Sequence, residues 1–228
     1  MGRFLQDWTW FEKILLVVST VIIIALSIIW KDTPIGIVSA ISGILSVILC
    51  AKGKSVNYLF GVLYTVTFVY MAYENKFYGQ MIVNAVYYLP MNVLGYFMWN
   101  RSKHSPEEDI TTRKLSQKGL VFTVLSSVAA IAIYSLLLSW LEGNLAVMDA
   151  TVTILSIVAL YLQTKRYTET WIMWFIYNLA SCSLWIFAVA SGTSESITML
   201  VMNLTYLVNS IYGYYNWKRL EDGDEAYA

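Results

Sequence analysis

The chain has 228 residues, 58% of them hydrophobic and 13% charged, with a mean hydropathy of +0.58. A soluble surface needs about twice that charged fraction, so a water-solvated fold is excluded and lipid must cover most of the exterior. The 15 basic and 15 acidic residues cancel, which leaves no net field to draw nucleic acid, while aromatic residues reach 15%.

A bilayer-crossing helix needs about 17–25 mostly apolar residues. Eight stretches meet that need, at 14–30, 34–51, 57–73, 78–99, 119–141, 145–163, 170–191 and 195–217. None shows the period-two alternation of barrel strands, so the predicted fold class is an all-α polytopic membrane protein with eight transmembrane helices. The first stretch has no small-residue cleavage site, and Trp30, Lys31 and Asp32 close it like a membrane boundary rather than a leader. Pro34 opens the second stretch at a favourable position. Pro90, inside the fourth, removes a backbone hydrogen bond and predicts a kink there.

Eight spans put both termini on one side. That side holds 13 of the 15 lysines and arginines, and the other holds only Lys31 and Lys76. The bias predicts cytoplasmic termini. Cys50 and Cys182 lie inside spans and read as packing residues, and His104 reads as a solvated loop residue, so no metal site and no cofactor is expected. The linker 102–118 reads as a solvated loop. The acidic tail 220–228 reads as disordered.

Spans four and eight end alike. YLPMNVLGYFMWNR (Tyr88 to Arg101) and YLVNSIYGYYNWKR (Tyr206 to Arg219) share six of fourteen positions at an offset of 118. Spans two and six share Ile-Leu-Ser (Ile44 to Ser46, Ile154 to Ser156), and Tyr64 stands opposite Tyr177. Residues 34–101 and 145–219 therefore read as two parallel three-helix repeats. A cytoplasmic loop and linker helix at 102–144 join them in a 3+1+3 order. An extra N-terminal helix at 1–33 precedes them, outside the core, and a tail at 220–228 follows. Parallel repeats about an axis along the membrane normal suit a transporter, with its site near midplane between them.

The 3+1+3 order, the ending Asn92, Gly95, Tyr96, Trp99, Arg101 and its echo Gly213, Tyr214, Trp217, Arg219 resemble the PnuC family of bacterial vitamin transporters over residues 34–219. That resemblance implies a SWEET-like fold in the bacterial inner membrane. It implies nicotinamide riboside as cargo, facilitated diffusion with trapping by cytoplasmic phosphorylation, and a homotrimer. Thiamine or riboflavin on the same scaffold, or a sugar, remain alternatives. The core spans carry fewer prolines than SWEET transporters do, which weighs against the sugar.

Polar side chains at membrane depth are costly, so their clustering marks a candidate site. Span four carries Gln80, Asn84, Tyr88 and Asn92 at four-residue spacing. Span eight carries Thr198, Asn203, Tyr206, Asn209 and Ser210. Span seven carries Trp174, Tyr177, Asn178, Ser181 and Trp185, and span three carries Gly61, Tyr64, Thr65 and Phe68. The substrate-binding expectation is Trp185, Asn178, Trp174, Tyr177, Gln80, Asn84, Tyr88, Thr65, Tyr64, Thr198, Asn203, Tyr206 and Asn209. The competing reading of any one of them is glue between helices. Aromatic faces suit a flat pyridinium ring, and amides suit a carboxamide and ribose hydroxyls. No lysine or arginine falls inside these spans, which disfavours a phosphorylated cargo.

Trp30, Trp99, Trp140, Trp171 and Trp217 fall near predicted span ends and read as an interface belt. Asp149 and Glu195 are the only acids in the spans. Both sit near the outer ends and read as helix N-terminal acids, the alternative being that they attract a cationic substrate at the outer mouth. With no ionisable relay at midplane, uniport is favoured over ion coupling. No nucleophile–base pair and no phosphate-cradling glycine loop points to an enzyme.

Overall fold

The computed structural model describes residues 8–30, 33–74, 76, 78–102, 110–141, 145–190 and 196–225, apart from the side chains of 30, 79, 80, 188, 196–199 and 222–225. Within them lie eight long helices. They are α1 (Trp10–Trp30), α2 (Pro34–Ala51), α3 (Asn57–Glu74), α4, α5 (Gln117–Trp140), α6 (Ala146–Thr164), α7 (Thr170–Ala190) and α8 (Ser196–Glu225). Helix α4 is continuous from Tyr78–Val83 through a π-helical turn, Asn84–Tyr88, into Leu89–Arg101. Six stretches are long and apolar enough to cross a membrane: Trp10–Ile29, Pro34–Ala51, Met81–Arg101, Gln117–Trp140, Ala146–Thr164 and Thr170–Phe187. Helices α3 and α8 fall short because tyrosines, asparagines and threonines interrupt them. Several of these, including Thr65, Asn203 and Asn209, are buried against neighbouring helices.

Six helices close a ring. Helix α2 packs on α3, α3 on α4, α4 on α6, α6 on α7, α7 on α8, and α8 back on α2. The first helix of each repeat thus meets the last helix of the other. Helix α1 packs outside, against α2 and α8. Helix α5 packs on α6, and Ser127 is its only buried residue. Its outer side shows Phe122, Leu125, Ile133 and Leu136.

Local chemistry sets the helix ends. Thr33 Oγ1 accepts from Gly36 N at 3.2 Å with Pro34 in the first turn, and Ser116 Oγ accepts from Gly119 N at 3.1 Å. Helices α2 and α6 end identically. Each is followed by a lysine and then a left-handed residue, Gly53 (φ 74°) and Arg166 (φ 67°). Lys54 N then bonds to Leu49 O, and Tyr167 N to Leu162 O, both at 3.0 Å. The left-handed turn costs a non-glycine residue about 1–2 kcal/mol. Arg166 offsets it by donating to Thr111 O at 3.1 Å and Thr111 Oγ1 at 2.7 Å.

These matching ends separate α2 from α6 by 113 residues, since Ala51 and Thr164 are their last residues. The same offset relates Tyr64 to Tyr177. The Ile-Leu-Ser match, at 110, is therefore displaced by about one helical turn. In the corrected register Gly43 stands opposite Ser156.

The end of the bundle that bears Lys52, Arg101 and Lys165 is closed by a floor of rings. Eleven of the twelve described lysines and arginines, all but Lys76, lie at this basic end. Tyr58 packs edge-on to Trp99 (centroids 4.8 Å), Trp99 meets Trp217 at 5.5 Å, and Trp217 meets Trp171 edge-on at 5.5 Å. Tyr58, Trp99 and Trp217 have no exposed surface, and Trp171 is 3% exposed. The indole of Trp99 donates to Gln163 O at 3.1 Å, and that of Trp217 to Cys50 O at 2.9 Å. The repeat relates each half of this floor to the other. Trp99, Trp171 and Trp217 are thus core residues rather than belt residues. The indole N–H groups of Trp99 and Trp217 find their acceptors in the neighbouring repeat, where burial is complete, whereas that of Trp171 is buried without a partner. Trp140, 79% exposed, does sit at the surface. A Cβ on Gly95 would overlap the Tyr58 ring, and one on Gly213 would overlap Trp171, so the shared Gly-Tyr-x-x-Trp ending is a steric socket for the floor.

Two further expectations change. The part of the linker within the described residues is strapped rather than solvated. Ile110 is 1% exposed in the floor, Ile110 N bonds to Gly53 O at 3.2 Å, and Thr112 Oγ1 to Trp217 O at 2.9 Å. Arg113 exchanges backbone hydrogen bonds with Arg166 and Thr168, both at 2.8 Å. Residues 103–109, with His104, lie outside the described residues. The tail does not begin at Leu220 either, because α8 runs to Glu225 and Leu220 packs on the floor.

Gly95→Ala and Gly213→Ala should each destabilise the protein by about 1–3 kcal/mol through overpacking. Thermal unfolding in detergent, read by Trp fluorescence, checks this; equal losses are expected because the sockets are equivalent.

Candidate functional site

Above the floor, each repeat carries one polar rung. Asn92 Nδ2 donates to Thr65 Oγ1 at 3.4 Å between α4 and α3. Asn178 Nδ2 donates to Ser210 Oγ at 2.9 Å between α7 and α8. Thr65 is equivalent to Asn178, and Asn92 to Ser210, so the amide has changed helix between the copies. Thr65 and Asn178 are 1% and 3% exposed and hold helices together. The Asn178 Oδ1 atom is buried without a hydrogen-bond partner. Gly61 lets Asn92 approach α3, since a Cβ there would overlap the Asn92 amide.

Next comes a set of four tyrosines. Tyr64 and Tyr177 each lie within electrostatic range of the other and of both Tyr88 and Tyr206. They form two repeat-related pairs, Tyr64 with Tyr177 and Tyr88 with Tyr206, so the site straddles the pseudo-two-fold axis. Their surroundings break the symmetry. Tyr88 Oη donates to Ser156 Oγ at 2.5 Å on α6. Tyr206 faces Gly43 on α2, where an added Cβ would lie 2.9 Å from its hydroxyl. Gly43 has no hydroxyl to offer.

The π-helical turn supplies a second asymmetry. Leu89 N–H reaches Asn84 O, one residue beyond the usual partner. Pro90 follows at once; its ring would press on the carbonyl one turn back, and widening the turn relieves that clash. The predicted kink is thus realised as a π-turn. Helix α8, with Val208 at the equivalent position, has none. Through this turn both Tyr87 and Tyr88 reach α6, Tyr87 Oη donating to Ile157 O at 2.6 Å.

The remaining expected residues separate by depth. Trp174 is tied to the floor side, its indole donating to Gln163 Oε1 at 3.0 Å and its ring edge-on to Tyr177 at 5.4 Å. Asn209, 1% exposed, donates to Val47 O at 3.0 Å across the α8–α2 junction, leaving its Oδ1 buried without a partner. Asn84 and Asn203 are buried about one turn beyond the tyrosines, away from the floor. Trp185 is half-buried, eight residues past Tyr177 and so about 12 Å further from the floor. The side chains of Gln80 and Thr198 lie outside the described residues, as does Glu195. Asp149 is exposed in the first turn of α6.

Sequence reasoning missed Gly43, Ser156 and Gln163. The signal was present in the Lys52–Gly53 and Lys165–Arg166 turns, which set the 113 register that pairs Gly43 with Ser156. Chemically, the arrangement offers phenols, amides and indoles to a flat polar solute. Among the described residues, no lysine or arginine lies at the level of the tyrosines.

Residues 33–219 match a family model described as nicotinamide mononucleotide transporter. A nicotinamide riboside transporter PnuC of Neisseria mucosa is 33% identical over 217 residues, covering 93% of this chain and 82% of that protein. Its counterpart in Haemophilus influenzae is 32% identical, covering 96% and 94%. The crystal structure of the vitamin B3 transporter PnuC superposes with a TM-score of 0.79 at 32% identity, covering 95% of this chain and 94% of the other.

The rung makes a double-mutant expectation. Asn178→Ala and Ser210→Ala should each destabilise by about 1 kcal/mol, and the double variant by little more than either, because both remove one bond. Chemical denaturation in detergent measures the cycle; full additivity would dissolve the rung.

Proposed function

Because the chain belongs to the nicotinamide mononucleotide transporter family, that of PnuC, we propose that it carries nicotinamide riboside across the bacterial inner membrane. The observation that supports this cargo is the axial set of Tyr64, Tyr88, Tyr177 and Tyr206, flanked by amides and bare of cations. Aromatic faces attract a desolvated pyridinium with about 1–2 kcal/mol each. Amide groups such as those of Asn84 and Asn203 match the carboxamide and ribose hydroxyls in donor and acceptor.

The family description favours a second reading, the mononucleotide. Its phosphate would need a cationic partner at the site. All the described lysines and arginines but Lys76 cluster at one end instead, and Lys52, 8% exposed, is engaged by Glu12. That distribution supports the riboside. Thiamine, riboflavin or a sugar on the same scaffold are the other cargoes to test.

Transport in this reading is uniport. The two repeats rock about the tyrosine set, and the aromatic floor is the barrier on one side. The basic end faces the cytoplasm with both termini. Phosphorylation there traps the cargo, so the protein itself is a carrier and not an enzyme. The assembly is a homotrimer within the lipid bilayer.

In proteoliposomes, labelled riboside should equilibrate without an imposed ion gradient, while the mononucleotide should not enter; strict dependence on a proton or sodium gradient refutes uniport. Trp185→Ala should weaken riboside binding about tenfold by calorimetric titration. Unchanged affinity would remove Trp185 from the site.

A further inference from the structure

A buried ion pair lies outside the site. Glu12, on α1, is 1% exposed. Its Oε1 and Oε2 accept from Lys52 Nζ at 2.9 and 2.8 Å. Tyr212 Oη donates to Oε1 at 2.5 Å, and Thr9 N donates to Oε2 at 2.6 Å. Lys52 also stands 5.3 Å from the ring of Trp8. Glu12 N bonds back to Thr9 Oγ1 at 3.3 Å, so the same carboxylate completes a reciprocal helix cap.

The partners belong to different repeats. Lys52 follows α2, in the first. Tyr212 is on α8, in the second, next to the Gly213 that seats Trp171. One carboxylate on a helix outside both repeats therefore joins them at the level of the floor. Among the described residues, the equivalent junction, α4 with α6, has no such contact. Lys165 and Leu94 take the places of Lys52 and Tyr212, and both are exposed. Met98 stands where Asn216 donates to Ala51 O at 2.8 Å.

We propose that Glu12 is a positioning residue for transport, a one-sided latch that holds α2 against α8 and keeps the aromatic floor shut. Parting it leaves a charge without its partner in a desolvated place, so the latch is either made or broken and has no soft intermediate. Helix α1, expected to be peripheral, then governs opening at the basic end. The meaning of the latch rests on the two-repeat carrier reading, but its test needs no cargo, so failure of one leaves the other standing.

Cys50 supplies the reporter. It is 2% exposed in the floor, and its carbonyl holds Trp217. In a Cys182→Ser background in nanodiscs, a membrane-impermeant maleimide should modify Cys50 slowly. Glu12→Gln keeps the shape and removes the charge, and Lys52→Met removes the partner; each should speed modification at least about tenfold. Tyr212→Phe, which spares the ion pair, should give a smaller rise and serves if either charge variant fails to fold. Thr9→Ala, which removes only the cap hydroxyl, should change nothing. The latch is overturned if the charge variants leave the Cys50 rate unchanged, or if Thr9→Ala raises it equally.

Discussion

Two indole N–H groups, on Trp99 and Trp217, carry the constraint on which the rest of the bundle depends. At membrane depth a polar group left without a partner is costly. Each indole finds one in a carbonyl near the end of the other repeat's first helix, Gln163 O and Cys50 O. Those carbonyls are presented because α2 and α6 both end in a left-handed turn, at Gly53 and Arg166. The two rings then meet on the axis and draw in Tyr58 and Trp171, for which Gly95 and Gly213 leave space. A single reciprocal contact thus sets the helix order of the ring, closes one end and fixes the height of everything above it.

Above the floor the molecule departs from its own symmetry, and the departures gather around the four tyrosines. The rungs exchange their amides. Ser156 engages Tyr88, whereas Gly43 leaves Tyr206 without that neighbour. Trp174 replaces Gly61, and among the described residues a π-turn occurs in α4 alone. A two-fold site can orient an asymmetric solute only through such differences, since equivalent groups would hold it equally well in two directions. Glu12 adds a departure at the floor itself, on one junction of two. A membrane transporter of this family needs one end to open while the other holds, and unequal junctions are a physical means to that.

The spans and the repeat were legible because lipid imposes length and apolarity on each helix separately. Pro34 acts within one turn of chain. The tyrosine set was legible too, through Tyr64 with Tyr177 and Tyr88 with Tyr206. Less was readable where partners are remote. Asn178 pairs with Ser210 from 32 residues away, and Asn209 with Val47 from 162. Trp99 at a span end looks like a belt residue until its acceptor, 64 residues on, is known. Ile110 looks like loop until the floor it seals is in place.

By itself the sequence determined the class of solvent, the number of helices, the parallel duplication and the absence of charge at midplane. Each of these follows from local composition or from comparing the chain with itself. Only the tertiary structure decided which polar side chains join helices, as Asn178 and Asn209 do, and the burial of Glu12 against Lys52 and Tyr212. Those outcomes depend on which helix faces meet, and a helix with polar groups on several sides does not disclose its neighbours until the ring has closed.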